Sequence, residues 1–187
     1  MKWCPMTSTL LFILTCVISF FASAQEQLKV GEITPDFILK SGDGKEYSTK
    51  KLRGKIIVLI MGNRKIRKED NKWGKIIQKD FERNNHVATF IVGDMRSVPS
   101  FVPKSFIKKY MQKKPAPVTF LFDWSGKVHQ QYKTQPKFPN LYVISHTGRI
   151  IFRKSWKLSQ NRYLEFKSII DKELFDLIQK DKANNKE

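Results

Sequence analysis

Apolar and polar positions along this chain fall into two periods. Residues 55–61 form an apolar run led by Lys55, β-branched at its start and closed by Gly62 and Asn63. A run of that kind predicts a strand buried on both faces of a sheet. Residues 87–92 and 118–122 repeat the pattern. Between the first two strands, Trp73, Ile76, Ile77 and Phe81 recur at helical spacing and predict a helix over 67–84. Phe101, Phe106, Ile107, Tyr110 and Met111 mark a second, more basic helix, with Pro103 near its first turn, where proline is tolerated. Two hairpins complete the picture. One turns at Ser41-Gly42-Asp43-Gly44-Lys45 between 37–39 and Tyr47, and the other at Ser145-His146-Thr147-Gly148 between 141–144 and 150–152. Residues 128–132 read as a short strand after the turn at 123–126. Tyr163, Phe166, Ile169, Ile170, Leu174, Leu177 and Ile178 form the stripe of a closing helix, with Ser159 as its N-cap and a polar, frayed tail from Lys180. The order is hairpin, strand, helix, strand, helix, strand, hairpin, helix. An α/β fold with a mixed central sheet, helices on both faces and an N-terminal β-hairpin follows.

The first 24 residues differ from the rest. Lys2 precedes an apolar stretch over 10–21, and Ala22-Ser23-Ala24 follows, which is the grammar of a signal peptide cleaved before Gln25. The stretch is short for a membrane span. The expected organisation is a signal peptide at 1–24, one domain at 25–180 and a polar tail at 181–187. The protein is then exported, periplasmic or secreted, and not an integral membrane protein after cleavage. Both cysteines, Cys4 and Cys16, lie in the leader. A chain starting at Gln25 has no thiolate for exchange or peroxidase chemistry, and no disulfide.

Three stretches resemble the redoxin branch of the thioredoxin superfamily, which includes the alkyl hydroperoxide reductase/thiol-specific antioxidant proteins and exported thiol–disulfide oxidoreductases. Val30-Gly31-Glu32-Ile33-Thr34-Pro35-Asp36-Phe37-Ile38-Leu39 with Asp43-Gly44-Lys45 is similar to that family's opening hairpin. Leu52-Arg53-Gly54-Lys55-Ile56-Ile57-Val58-Leu59 is similar to the lead-in to its first core strand. Phe138-Pro139-Asn140-Leu141-Tyr142-Val143-Ile144, ending in Thr147-Gly148-Arg149-Ile150, is similar to the segment around the fold's cis-proline. The resemblance implies a thioredoxin-like fold and a cis Phe138–Pro139 bond. It puts the two sulfur positions of a Cys-x-x-Cys pair near Ile66 and Glu69, within two residues, where no cysteine stands. Gly62-Asn63-Arg64 and Lys68-Glu69-Asp70-Asn71 also resemble a cysteine-free periplasmic group, the YtfJ-like family, whose role is unassigned.

Other chemistry finds little footing. His86, His129 and His146 have no partner at metal-ligand spacing and read as solvated or capping residues. No G-x-S-x-G elbow or phosphate-binding loop occurs. Asp43 and Asp123 sit in turns beside glycine, where Asp serves backbone geometry. No catalytic residue, metal or cofactor is expected. Charge says more: residues 95–164 carry fourteen Lys and Arg against the single acid Asp123. Such a surface favours an anionic partner, and for an exported protein that is an acidic protein or peptide, or an anionic envelope surface, rather than nucleic acid. The resemblance makes the loop before the first helix face the cis-proline loop, so the expected binding set is Asn63, Arg64, Lys65 and Arg67 opposite Phe138, Pro139 and Asn140. Three functions are carried forward: a non-catalytic module binding an acidic partner, a redoxin-type thiol–disulfide oxidoreductase or peroxidase, and a basic protein adhering to the envelope surface.

Overall fold

The continuous apolar run becomes the centre of the molecule. In the computed structural model, which describes residues 28–184, β3 (Ile56–Asn63) is buried almost to its end. The described residues form a seven-stranded sheet from β1 (Ile38–Ser41), β2 (Glu46–Ser48), β3, β4 (Val87–Asp94), β5 (Thr119–Asp123), β6 (Asn140–Ile144) and β7 (Ile150–Ser155), in the order β2-β1-β5-β4-β3-β6-β7. β3, β4 and β5 are parallel, and every other pairing is antiparallel. The mixed α/β sheet expected from the sequence is therefore present, with the N-terminal β-hairpin at one edge. The proposed leader with Cys4 and Cys16 lies outside the described residues.

Strand period 2 divides the core into two layers. Ile56, Val58, Ile60, Ile91, Leu141 and Val143 face α1 (Arg67–Phe81) and α4 (Gln160–Asn184). Trp73 at the middle of that layer is fully buried, edge-on to Phe166, and its Nε1 donates to the Trp156 carbonyl at 3.2 Å. Ile57, Leu59, Met61, Phe90 and Val92 face the opposite layer, built with Phe37, Leu39 and the short α3 (Lys127–Gln131). Burial on this scale, at about 25 cal/mol per Å² of apolar area, is what holds residues 28–184, which contain no cysteine.

Two elements differ from the sequence reading. Residues 127–131 are a helical turn, not a strand: Val128, His129 and Tyr132 all turn inward, and the His129 amide donates to Asp123 Oδ2 at 2.9 Å. A spacing of four between Val128 and Tyr132 fits a helix face, whereas a strand would put them on one face only with Gln130 between. α4 also runs to Asn184, because buried Leu174 and Leu177 keep its last turns seated. α2 (Lys104–Lys113) follows Pro103 as expected, but only Met111 of its apolar positions is buried; Phe101, Phe106 and Tyr110 are exposed.

Candidate functional site

Parallel pairing brings the C-terminal ends of β3, β4 and β5 to one edge of the sheet, with Asn63, Asp94 and Asp123 side by side in register. Such an edge is where α/β sheets open a crevice. One residue earlier, Gly62 and Gly93 are register partners. A Cβ on Gly62 would collide with the Asp70 carboxyl, and one on Gly93 with the Phe120 ring. With neither present, carboxyl and ring lie flat on the sheet and line one wall of a cavity of about 130 Å³. α2 contributes Ile107, Tyr110 and Met111, and the loop before α1 contributes Asn63 and Arg64. Asp70, in the first turn of α1, is 3% exposed, and its Oδ1 has no hydrogen-bond partner. Burial, helped by the neighbouring negative Glu69, pushes its carboxyl up to about 8. At neutral pH Asp70 is therefore mainly a neutral acid.

The binding set expected from the sequence divides. Asn63 does meet the loop before β6: its Nδ2 donates to the Pro136 carbonyl at 3.0 Å, while its Oδ1 accepts from the Lys65 amide at 2.9 Å. Arg64, Lys65 and Phe138 lie on the surface around that junction, and Lys157 Nζ sits 5.7 Å over the Phe138 ring. Arg67 turns the other way, donating to the Lys114 carbonyl at 3.3 Å and stacking on Tyr110. Pro139 and Asn140 are buried. Asn140 is a clasp: its Nδ2 donates to the carbonyls of Met61, Gln135 and Phe138, and its Oδ1 accepts from the Gln135 amide and the Ser155 hydroxyl. The Phe138–Pro139 bond, expected to be cis, is trans: no described peptide bond is cis. The Asn140 side chain folds the loop back by itself, and without a steric demand for cis the intrinsic preference for trans stands.

The match to known families decides the relationship. Residues 30–153 fit the AhpC/TSA family. The chain belongs to that family. Its fold is shared with solved structures at low identity. A Chlorobium tepidum protein described as the thiol:disulfide interchange protein DsbE is 17% identical, covering 79% of this chain and 99% of that one, with a TM-score of 0.64. The thioredoxin domain of a thiol-disulfide oxidoreductase from Bacteroides vulgatus is 16% identical over 75% of this chain and 99% of that one, at 0.57. The pneumococcal exposed lipoprotein thioredoxin of Streptococcus pneumoniae is 18% identical over 73% and 99%, at 0.56. No curated protein matches the chain significantly.

In this redoxin the two helix positions singled out by the resemblance are Ile66, the residue capping α1, and Glu69 in its first turn. Neither can supply a thiolate, and no cysteine occurs among residues 28–184. The redoxin sheet edge does hold a buried polar pair that sequence reasoning took for a turn aspartate and a solvated or capping histidine. Asp123 is 1% and His129 3% exposed. His129 Nδ1 lies 2.9 Å from Asp123 Oδ2, and Nε2 lies 3.2 Å from the Gly62 carbonyl. Both ring nitrogens thus face oxygen atoms. Burial pulls the Asp123 carboxyl upward, but the hydrogen bonds from His129 outweigh it and hold it below its ordinary range. Asp94 is likewise raised by burial and more strongly lowered by Arg96, whose guanidinium pairs with it at 2.6 Å. No signal in the sequence beyond their Gly-flanked turn pointed to Asp123 and His129 as partners. Among the described residues no group of three His, Cys, Asp or Glu could hold a metal ion, and no helix is long and apolar enough to cross a membrane.

Proposed function

We propose that this member of the AhpC/TSA family works by binding rather than by thiol exchange, and that its partner is an acidic protein or an acidic extended peptide. The observation that carries the reading is the make-up of the loop before α1. Ile66 and Glu69 stand at the positions where the family resemblance puts sulfur, and they are flanked by exposed Arg64 and Lys65. Neither cation is in an ion pair among the described residues, and exposed Lys137 and Phe138 lie across the Asn63–Pro136 junction. The positive end of the α1 dipole adds to this field. An acidic segment would lie over the junction, with carboxylates on the cations and an apolar side chain on Phe138. The segment would not enter between the two loops, because Asn63 ties them together. Export to a periplasmic or secreted location, after cleavage before Gln25, belongs to the same proposal, as does kinship with the YtfJ-like group.

Titrating the chain from Gln25 onward with a glutamate-rich extended peptide tests this reading. Binding is expected at low salt, with loss by about tenfold or more on screening at high salt and in an Arg64→Glu/Lys65→Glu variant. Binding that ignores both salt and charge reversal would contradict it.

A second reading has its own observation. Phe101, ahead of α2, is 83% exposed and Phe106, within it, 64%, beside Lys104, Lys108 and Lys109, so aromatics stand among lysines with no acid in α2. That composition suits adhesion to an anionic envelope surface. It is recognised by salt-reversible sedimentation with anionic vesicles but not with neutral ones.

A further inference from the structure

Asp70 is a carboxyl in an unusual setting for a first-turn residue. Acids there ordinarily face water and the exposed amides of the helix end. Asp70 instead points onto the sheet, over Gly62, and its Oδ1 finds no partner. Leaving a buried polar atom unmatched costs free energy, and here the cost is built in by the Gly62–Gly93 register pair, which makes the space for it. Phe120 from β5 and Ile107, Tyr110 and Met111 from α2 give the cavity a largely apolar surface, and Asp94, which also lines it, is already paired with Arg96. Cations stand on the loop side of the same cavity. Arg67, three residues before Asp70 on α1, lines the cavity over the Tyr110 ring while donating to the Lys114 carbonyl, and exposed Arg64 lines it as well. The volume, about 130 Å³, is near that of cavities which admit a ring or a branched chain of four to six carbons.

We propose that this cavity binds a small monocarboxylate with a compact apolar body, the body against Phe120, Ile107 and Met111 and the carboxylate between the Asp70 hydroxyl and the guanidinium of Arg67. Asp70, as the neutral acid that burial favours, donates one hydrogen bond to a ligand oxygen, and the arginine donates to the other. A donor–anion bond of this kind is stronger than one between neutral groups, and the apolar body supplies the remaining affinity. The site does not rest on the acidic-partner reading. It lies on the α2 side of Asn63, whereas that reading concerns the side facing Phe138.

The test uses the full chain, labelled with nitrogen-15, and 3-methylbutanoate as the probe. Saturable shifts at the Gly62, Asp70 and Gly93 amides are expected. Acetate, which has the charge without the body, and benzene, which has bulk without the charge, should each bind at least about tenfold more weakly. Asp70→Leu should weaken 3-methylbutanoate about tenfold and leave benzene bound. Ile107→Trp, which fills the cavity, should abolish both while leaving glutamate-peptide binding intact. The proposal is overturned if 3-methylbutanoate produces no saturable shift. It is overturned equally if benzene matches it, which would mark a plain apolar void, or if the shifts survive Ile107→Trp, which would mark loose ion binding at surface cations. Should Asp70→Leu fail to fold, the ligand series on the native chain and Ile107→Trp still decide the matter.

Discussion

Residue by residue, a costly buried carboxyl and a well-connected amide side chain lie close to the sheet edge. Asp70 pays the cost. A carboxyl whose folded pKa is raised lends stability that is fully present below its unfolded value near 3.8 and is lost as pH rises through about 8. Asp70→Asn keeps the shape and removes the ionisation, so the variant should be more stable than the parent at pH 7 by roughly 2–4 kcal/mol. The difference should shrink on acidification toward pH 4. Urea unfolding of both proteins at several pH values between 4 and 9 checks this; parallel profiles would mean that Asp70 is solvated or paired. Asn140 is the connected one, holding four other residues through its amide. Asn140→Ala should cost about 2–4 kcal/mol, since several buried partners lose their match at once. A loss under about 0.5 kcal/mol, the usual scale for surface changes, would return Asn140 to the role of a surface binding residue.

At the scale of elements, legibility followed burial. β3, β4 and β5 could be read because strands covered on both faces must be apolar throughout, and few other elements produce so short and continuous a run. α3 was misread because five residues carry too little period to separate a helical turn from a strand, and its two anchors, Val128 and His129, are adjacent. The α2 stripe was read as marking a second, more basic helix, and it lies largely on the surface, since aromatic spacing reports a helix face without saying what covers it. The candidate site was legible only in part. Asn63, Arg64 and Lys65 could be placed from the loop before α1, but the contact of Asp70 with Gly62 and the pairing of Gly62 with Gly93 arise from register and packing, which one sequence does not display. Phe101→Ser/Phe106→Ser should leave urea stability within about 0.5 kcal/mol of the parent and reduce sedimentation with anionic vesicles. Phe166→Ala, in the buried layer beneath α4, should cost about 3–5 kcal/mol. If the two exposed phenylalanines prove as costly as Phe166, α2 is a packed element and the adhesion reading loses its basis.

For the whole molecule, the formal charge of +18 and the cysteine-free span of residues 28–184 set what the fold can do. The AhpC/TSA sheet and helices are retained, Ile66 caps α1 and Glu69 lies in its first turn, and a buried Asp123–His129 pair holds the adjoining strand end. With no disulfide in that span, dithiothreitol should leave the melting temperature of the chain from Gln25 unchanged, and a shift of several degrees would show that a cysteine contributes to the folded protein. The account turns on whether binding has replaced thiol chemistry, and one turnover measurement bears on it most directly. The chain from Gln25 onward is incubated with a protein disulfide such as insulin, with dithiothreitol as reductant, and reduction is followed against buffer alone. The account expects a rate equal to the buffer rate at every protein concentration; a rate that rises in proportion to added protein would contradict it.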